Sequence, residues 1–283
     1  RTQDVMSIGE LDGELKLQAL RGPFAFAGRG AVGQERFALR VTTSAMDSDG
    51  STRLTAFAQP DNKAFSLAAE GLFLTGQAPR FNGDITYRRA PPPADRAEGV
   101  RGDLVLTSKV EANTDQVQLT SFTLVPDENR TGTRLTGASV IRLGENRNFD
   151  AVISGGVVAL PPRDATKEEG VQPYELVRLF GELPPPPVPP LPGKITLDLA
   201  ELDLRGFSLR DVKLSASSDA KGWTVDNLGG RLPGDTQVKL TGRLDAVEDR
   251  PSFAGQLAVT TSRLDALAAL WRKPTDNNPL FNM

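Results

Sequence analysis

The sequence predicts a mostly β protein, in which repeated antiparallel β units form a curved, groove-like sheet with two short helices. Three observations predict it: apolar and polar residues alternate at period two, turn residues recur at short intervals, and part of the chain repeats itself.

The alternation comes first. Phe37, Leu39 and Val41 are separated by polar neighbours, as are Phe81, Gly83, Ile85 and Tyr87. The same pattern returns in Ile195, Leu197 and Leu199, in Val238, Leu240, Gly242 and Leu244, and in Phe253, Gly255, Leu257 and Val259. Side chains of a strand point alternately to its two faces, so each run has one apolar and one polar face. Turn residues separate the runs: Asp47-Ser48-Asp49-Gly50, Pro60-Asp61-Asn62, Pro126-Asp127-Glu128-Asn129 and Pro233-Gly234-Asp235.

Helical signals are few. Ser262 to Asp265 has the spacing of a capping box, and Leu264, Leu267, Ala268 and Trp271 share a helical face that Pro274 ends. A second short helix is expected from Pro173 to Phe180, closed by Gly181. Leu183 to Gly193 reads LPPPPVPPLPG, which favours an extended connector without sheet hydrogen bonds.

The repeat pairs residues 117–160 with residues 223–267. Arg134-Leu135-Thr136-Gly137 matches Lys239-Leu240-Thr241-Gly242, and a Phe-led strand follows each, at Phe149 and Phe253. A fainter copy lies at Thr52 to Ala56, and Phe81-Asn82-Gly83 resembles the Phe-led strand. Leu faces the buried side, Thr suits an extended backbone, and Gly permits a bulge or bend where a twisted sheet curls. The expected organisation is a β-rich unit over 1–95, a repeat unit over 96–182, a proline-rich linker over 183–193, and a second repeat unit over 194–283.

Composition removes most catalytic chemistry. The 283 residues contain no His and no Cys, which excludes Ser-His-Asp catalysis, His-based zinc sites, thiol nucleophiles and disulfides. The net charge of -3 and the lack of a basic stripe speak against nucleic acid as a partner. Paired carboxylates such as Glu168-Glu169 lie in polar, turn-like surroundings and read as solvated loops. Asp47 to Gly50 lacks the spaced ligands of a calcium loop and reads as a hairpin turn. Gly28-x-Gly30-x-x-Gly33 has dinucleotide-binding spacing, but a strand follows it where that motif requires a helix. No catalytic residue, cofactor or metal site is expected. The longest uncharged apolar stretch, Ala151 to Pro162, is too short to span a bilayer, so the chain reads as a soluble segment.

Residues 195–271 resemble a segment of the AsmA family. The resemblance is carried by paired amphipathic strands, the Leu232-Pro233-Gly234 turn, the Leu240-Thr241-Gly242 strand, the Phe253-Ala254-Gly255 strand and the closing short helix. Residues 100–182 resemble a more diverged unit, and residues 10–90 match in style. AsmA-like proteins of Gram-negative bacteria have long periplasmic portions of repeated β units, held to the inner membrane by an N-terminal helix. These units form an open groove or tube with an apolar interior, implicated in moving phospholipid toward the outer membrane.

The resemblance therefore implies a non-enzymatic periplasmic segment that shields acyl chains. Its inner-membrane anchor would lie outside this chain, and its ends would meet neighbouring repeats or envelope proteins. The implied groove lining is Leu135, Phe149, Ile195, Leu197, Leu199, Val238, Leu240, Phe253, Leu257 and Val259. The alternative is that these apolar faces close on one another in a β-sandwich or solenoid, a binding or adhesin-type module with a structural role.

Overall fold

The computed structural model describes residues 8–32, 35–91, 93, 102–129, 133–159, 191–203, 208–247 and 250–265. The fold is mostly β and open, as the alternation predicts. The chain divides into two compact units, one of residues 1–131 with 138–146 and one of residues 132–137 with 147–283.

The first unit holds β1 (Ile8–Leu17), β2 (Phe24–Val32), β3 (Glu35–Thr43), β4 (Ser51–Pro60), β5 (Phe65–Leu74), β6 (Arg80–Arg89), β7 (Leu104–Ala112) and β8 (Gln116–Val125). They form a meander in which every strand pairs antiparallel with the next. Turn chemistry sets the hairpins. The Asp47 to Gly50 segment joins β3 to β4, where Gly50 takes a left-handed φ of 84° and Asp49 accepts hydrogen bonds from the backbone and hydroxyl of Ser51. Gly28 and Gly30 lie within β2, which leads into β3, so no helix follows the glycine triplet's first two members. Strands β6 and β7 pair along their full length, so the sheet continues through residues on both sides of position 95.

β9 (Leu135–Arg142) is divided between the two units. The second unit continues with β10 (Asn148–Ala159), β11 (Gly193–Asp203), β12 (Ser208–Asp219), β13 (Gly222–Leu232), β14 (Thr236–Val247) and β15 (Arg250–Thr260). β11 to β15 are an antiparallel meander. One pair departs from the antiparallel expectation: β10 and β11 run parallel, with Phe149 beside Gly193 and Ile153 beside Leu197. A parallel pair needs a long crossover, and the 160–192 segment between the two strands supplies the length. Alternation reports faces and is blind to strand direction. The 183–193 run was expected to lack sheet hydrogen bonds, yet Phe149 N–H donates to Pro192 O at 3.0 Å and Gly193 begins β11.

The expected helix over 173–180 lies outside the described residues. Of the other, Leu264 and Asp265 are helical and the following residues lie outside the description.

Candidate functional site

Strand register decides which side chains share a face. In the first unit it aligns Gly13, Gly28, Leu39, Ala58, Leu67, Tyr87, Leu106 and Leu124 in one transverse row, one residue per strand from β1 to β8. A second row on the same face reads Leu15, Phe26, Val41, Ala56, Ala69, Ile85, Ser108 and Phe122. The opposite face is polar: Glu14, Arg29, Arg40, Thr55, Glu70, Asp84, Lys109 and Ser121 come from the same eight strands.

The second unit repeats the arrangement. Ile153, Leu197, Leu214, Leu228, Leu240 and Leu257 form an unbroken aliphatic row from β10 to β15. All ten residues expected to line a groove fall on this face. Ile195, Leu197 and Leu199 come from β11, Val238 and Leu240 from β14, and Phe253, Leu257 and Val259 from β15. Phe149 joins from β10, and Leu135 from β9 lies where a Cβ on Gly155 would point, beside the Leu199 side chain. Ile153, Leu214 and Leu228, which complete the row, were not among the expected lining.

Two β-bulges keep the apolar faces continuous where the sequence breaks step. In β13, Val225 and Leu228 are three apart, yet they pair with Gly242 and Leu240, two apart. The extra residue lets both point to the apolar side. In β8 a shift between Ser121 and Leu119 does the same for Phe122 and Leu119. A period-two template cannot register either.

Within each unit the element contacts among the described residues run between consecutive strands, and the apolar side chains shield one another. Small residues show the asymmetry, although Val105 on the polar face of β7 is also buried, at 9 %. Ala216 on the apolar face is 5 % exposed, whereas Ala200 on the polar face is exposed. Ser108 on the apolar face is 4 % exposed, whereas its neighbour Thr107 is exposed. Side chains converge in this way on the inside of a curved sheet and splay on the outside. Even so, much apolar surface stays open to solvent, with Leu257 at 63 % and Phe253 at 43 %. At about 4.8 Å between strands, a row across eight strands runs roughly 34 Å. A single acyl chain fills about half the bilayer's hydrocarbon core, roughly 15 Å.

Glycines thin each face at defined places. Gly13 lies opposite Gly28, Gly71 opposite Gly83, and Gly242 opposite Gly255. In each pair a Phe two residues before one glycine lays its ring over the gap: Phe26, Phe81 and Phe253. The ring replaces the missing side chains and keeps the face apolar.

Most of the charge lies on the polar face and in the turns; Arg89 at the end of β6, and Glu201 and Asp203 at the end of β11, fall on the apolar side. Arg243 donates to Asp219 at 2.7 and 2.8 Å and to Asp245 at 2.7 Å, which holds the guanidinium above its usual range. Those bonds from Arg243, with backbone donors Lys221 and Gly222, hold the Asp219 carboxyl well below its ordinary value. Arg88 is likewise raised by bonds to Glu128 and Asp103. These groups are satisfied ion pairs on an exposed surface. Among the described residues, no group of three or more Asp or Glu side chains could hold a metal ion, and no helix is long and apolar enough to cross a membrane.

No family model matches the chain, and neither a curated protein nor a solved structure matches it.

Proposed function

We propose that this chain is a non-enzymatic, AsmA-like periplasmic segment that shields acyl chains on an apolar β surface during phospholipid movement between the inner and outer membranes. The observation that carries the reading is the row Ile153, Leu197, Leu214, Leu228, Leu240 and Leu257, which is aliphatic in every strand and open to solvent at Leu257. Such a surface needs no specific ligand-binding residue. Each methylene that leaves water for it gains about 0.8 kcal/mol, so a chain of a dozen methylenes is held by area alone. Head groups stay in water, and the lipid remains free to slide along the row. The periplasmic location, and attachment to the inner membrane through a segment outside this chain, rest on the resemblance of residues 195–271.

The test is native mass spectrometry of the purified chain with organic extraction of what travels with it. The expected result is phospholipid in defined stoichiometry, reduced at least about tenfold by Leu257→Asp, because a carboxylate there must be desolvated by any acyl chain laid on it. Leu257 is largely exposed, so the variant keeps its fold. A folded chain that carries no lipid and takes up no fluorescent lipid would overturn the proposal.

A further inference from the structure

Arg88 and Arg89 are adjacent in β6 and therefore point to opposite faces. Arg88, on the polar side, donates to Glu128 at 2.6 Å and to Asp103 at 3.2 Å. Arg89 lies on the apolar side, opposite Phe65 in β5 and Leu104 in β7, and no carboxylate pairs with it among the described residues. The nearby Lys63 is engaged by Glu35 at 2.6 Å. Arg89, Lys63, Phe65, Tyr87 and Pro91 line a cavity of about 440 Å³, in which the Phe65 and Tyr87 rings sit 5.6 Å apart.

An unpaired guanidinium at the strand end of an apolar row has a specific chemical complement: an anion carried on an apolar tail. From this arrangement we infer that Arg89 seats the head-group phosphate of an anionic phospholipid. The Phe65–Tyr87 wall packs the adjoining methylenes, and the tail continues along Leu67, Tyr87 and Leu106. The planar guanidinium suits two phosphate oxygens at once. A phosphodiester whose head group carries its own cation satisfies that charge internally and gains less from Arg89. The inference rests on the acyl-shielding reading and adds a head-group preference to it.

The full chain is incubated with vesicles of equal phosphatidylglycerol and phosphatidylcholine with matched acyl chains, re-isolated and extracted. Mass spectrometry then gives both total lipid and the ratio of the two classes. Several-fold enrichment of phosphatidylglycerol is expected. Arg89→Gln should bring the ratio to that of the vesicles without changing total lipid, and Arg88→Gln should leave the enrichment intact. Lipid bound with no enrichment, or enrichment that survives Arg89→Gln, overturns the head-group seat while acyl shielding stands. Inorganic phosphate in excess should not abolish the enrichment; if it does, the seat belongs to free phosphate and the lipid assignment is overturned. No bound lipid of either class overturns the shielding reading, and this inference falls with it. Circular dichroism of each variant confirms that the sheet persists.

Discussion

Gly242 lies directly opposite Gly255 in the neighbouring strand, and the ring of Phe253 covers both. A Cβ on Gly242 would stand 2.8 Å from Cζ of Phe253, and one on Gly255 2.6 Å from the same atom. The facing backbone is nearer still, with the Ala254 carbonyl oxygen 2.5 Å from a Cβ on Gly242 and the Thr241 carbonyl oxygen 2.2 Å from one on Gly255, so neither glycine can gain a side chain without moving both the ring and the neighbouring strand. The same arrangement at Gly13 with Gly28 and at Gly71 with Gly83 makes it a recurring device.

Substitution at the interior pair tests it. A Cβ on Gly83 would lie 2.6 Å from Cα of Gly71 and 2.8 Å from Cζ of Phe81. Gly83→Ala is expected to destabilise by about 1–3 kcal/mol, the usual cost of overpacking. Gly156→Ala meets nothing within 4 Å and should be neutral or slightly stabilising, because alanine lowers the entropy of the unfolded chain. Urea midpoints of the two variants against wild type check this, and equal effects would refute the ring-over-glycine account.

The apolar face gives a second prediction. Leu240→Asp sits mid-row between Leu228 and Leu257, whereas Lys239→Asp points to the polar side. Extractable phospholipid should fall at least about tenfold in the first and hold near wild type in the second. Parallel losses would mean that charge anywhere on β14, and not on one face, governs binding.

How much of this could be read beforehand follows from what alternation encodes. Runs with an unbroken period, such as Ile195 to Leu199 in β11 and Val238 to Leu244 in β14, declare both strand and face. The Phe-x-Gly step of Phe253 and Gly255 is visible in the sequence, but that the ring covers a cross-strand glycine pair shows only in the register. Val225 and Leu228 could not be placed, because a bulge between them restores a face that strict counting would split. Leu67, Tyr87 and Leu106 are recognisable as strand residues, but only register shows that they lie in one row. The parallel pairing of β10 with β11 was invisible for a related reason: reversing a strand leaves its alternation unchanged. Arg89 stood out least, since an arginine beside another arginine at a strand end looks like a solvated pair until the faces are assigned.

Acid titration should report the Asp219–Arg243 pair. The Asp219 carboxyl is held well below its ordinary value of 3.8, chiefly by the Arg243 hydrogen bonds. A carboxylate with a depressed folded-state pKa contributes stability that is fully present above its unfolded value and is lost as pH falls through its folded value. Wild type should therefore be more stable than Asp219→Asn at neutral pH, and the difference should shrink below about pH 4. Salt should also reduce it, because the pair lies on an exposed surface. Urea midpoints from neutral to strongly acidic pH provide the measurement, and a difference independent of pH would assign the effect of Asp219→Asn to packing.

The outer edge of β15 gives the last prediction. Residues 252–260 read SFAGQLAVT, carry no charge, and are exposed on both faces. The register with β14 runs without a bulge from Gln237–Thr260 to Val247–Arg250, so the strand is long and regular. Among the described residues no strand pairs with its far side. Sheet edges are commonly guarded by lysine, proline or a bulge; β15 has Pro251 at its start, and the 252–260 stretch that follows has none of these. β1, at the other end of the order, carries Glu10, Asp12, Glu14 and Lys16, which would oppose one another in like-with-like pairing. Association in solution is therefore expected through β15, with self-association rising with concentration. Ala254→Lys with Ala258→Lys, both on the polar face, should abolish it by setting ammonium groups opposite one another. The corresponding glutamate pair should also abolish it, and a mixture of the two variants should restore it as a heterodimer. Light scattering coupled to size-exclusion chromatography reads all four samples. A chain that stays monomeric at high concentration, or a mixture that fails to recover association, would show that this edge is not open to another strand.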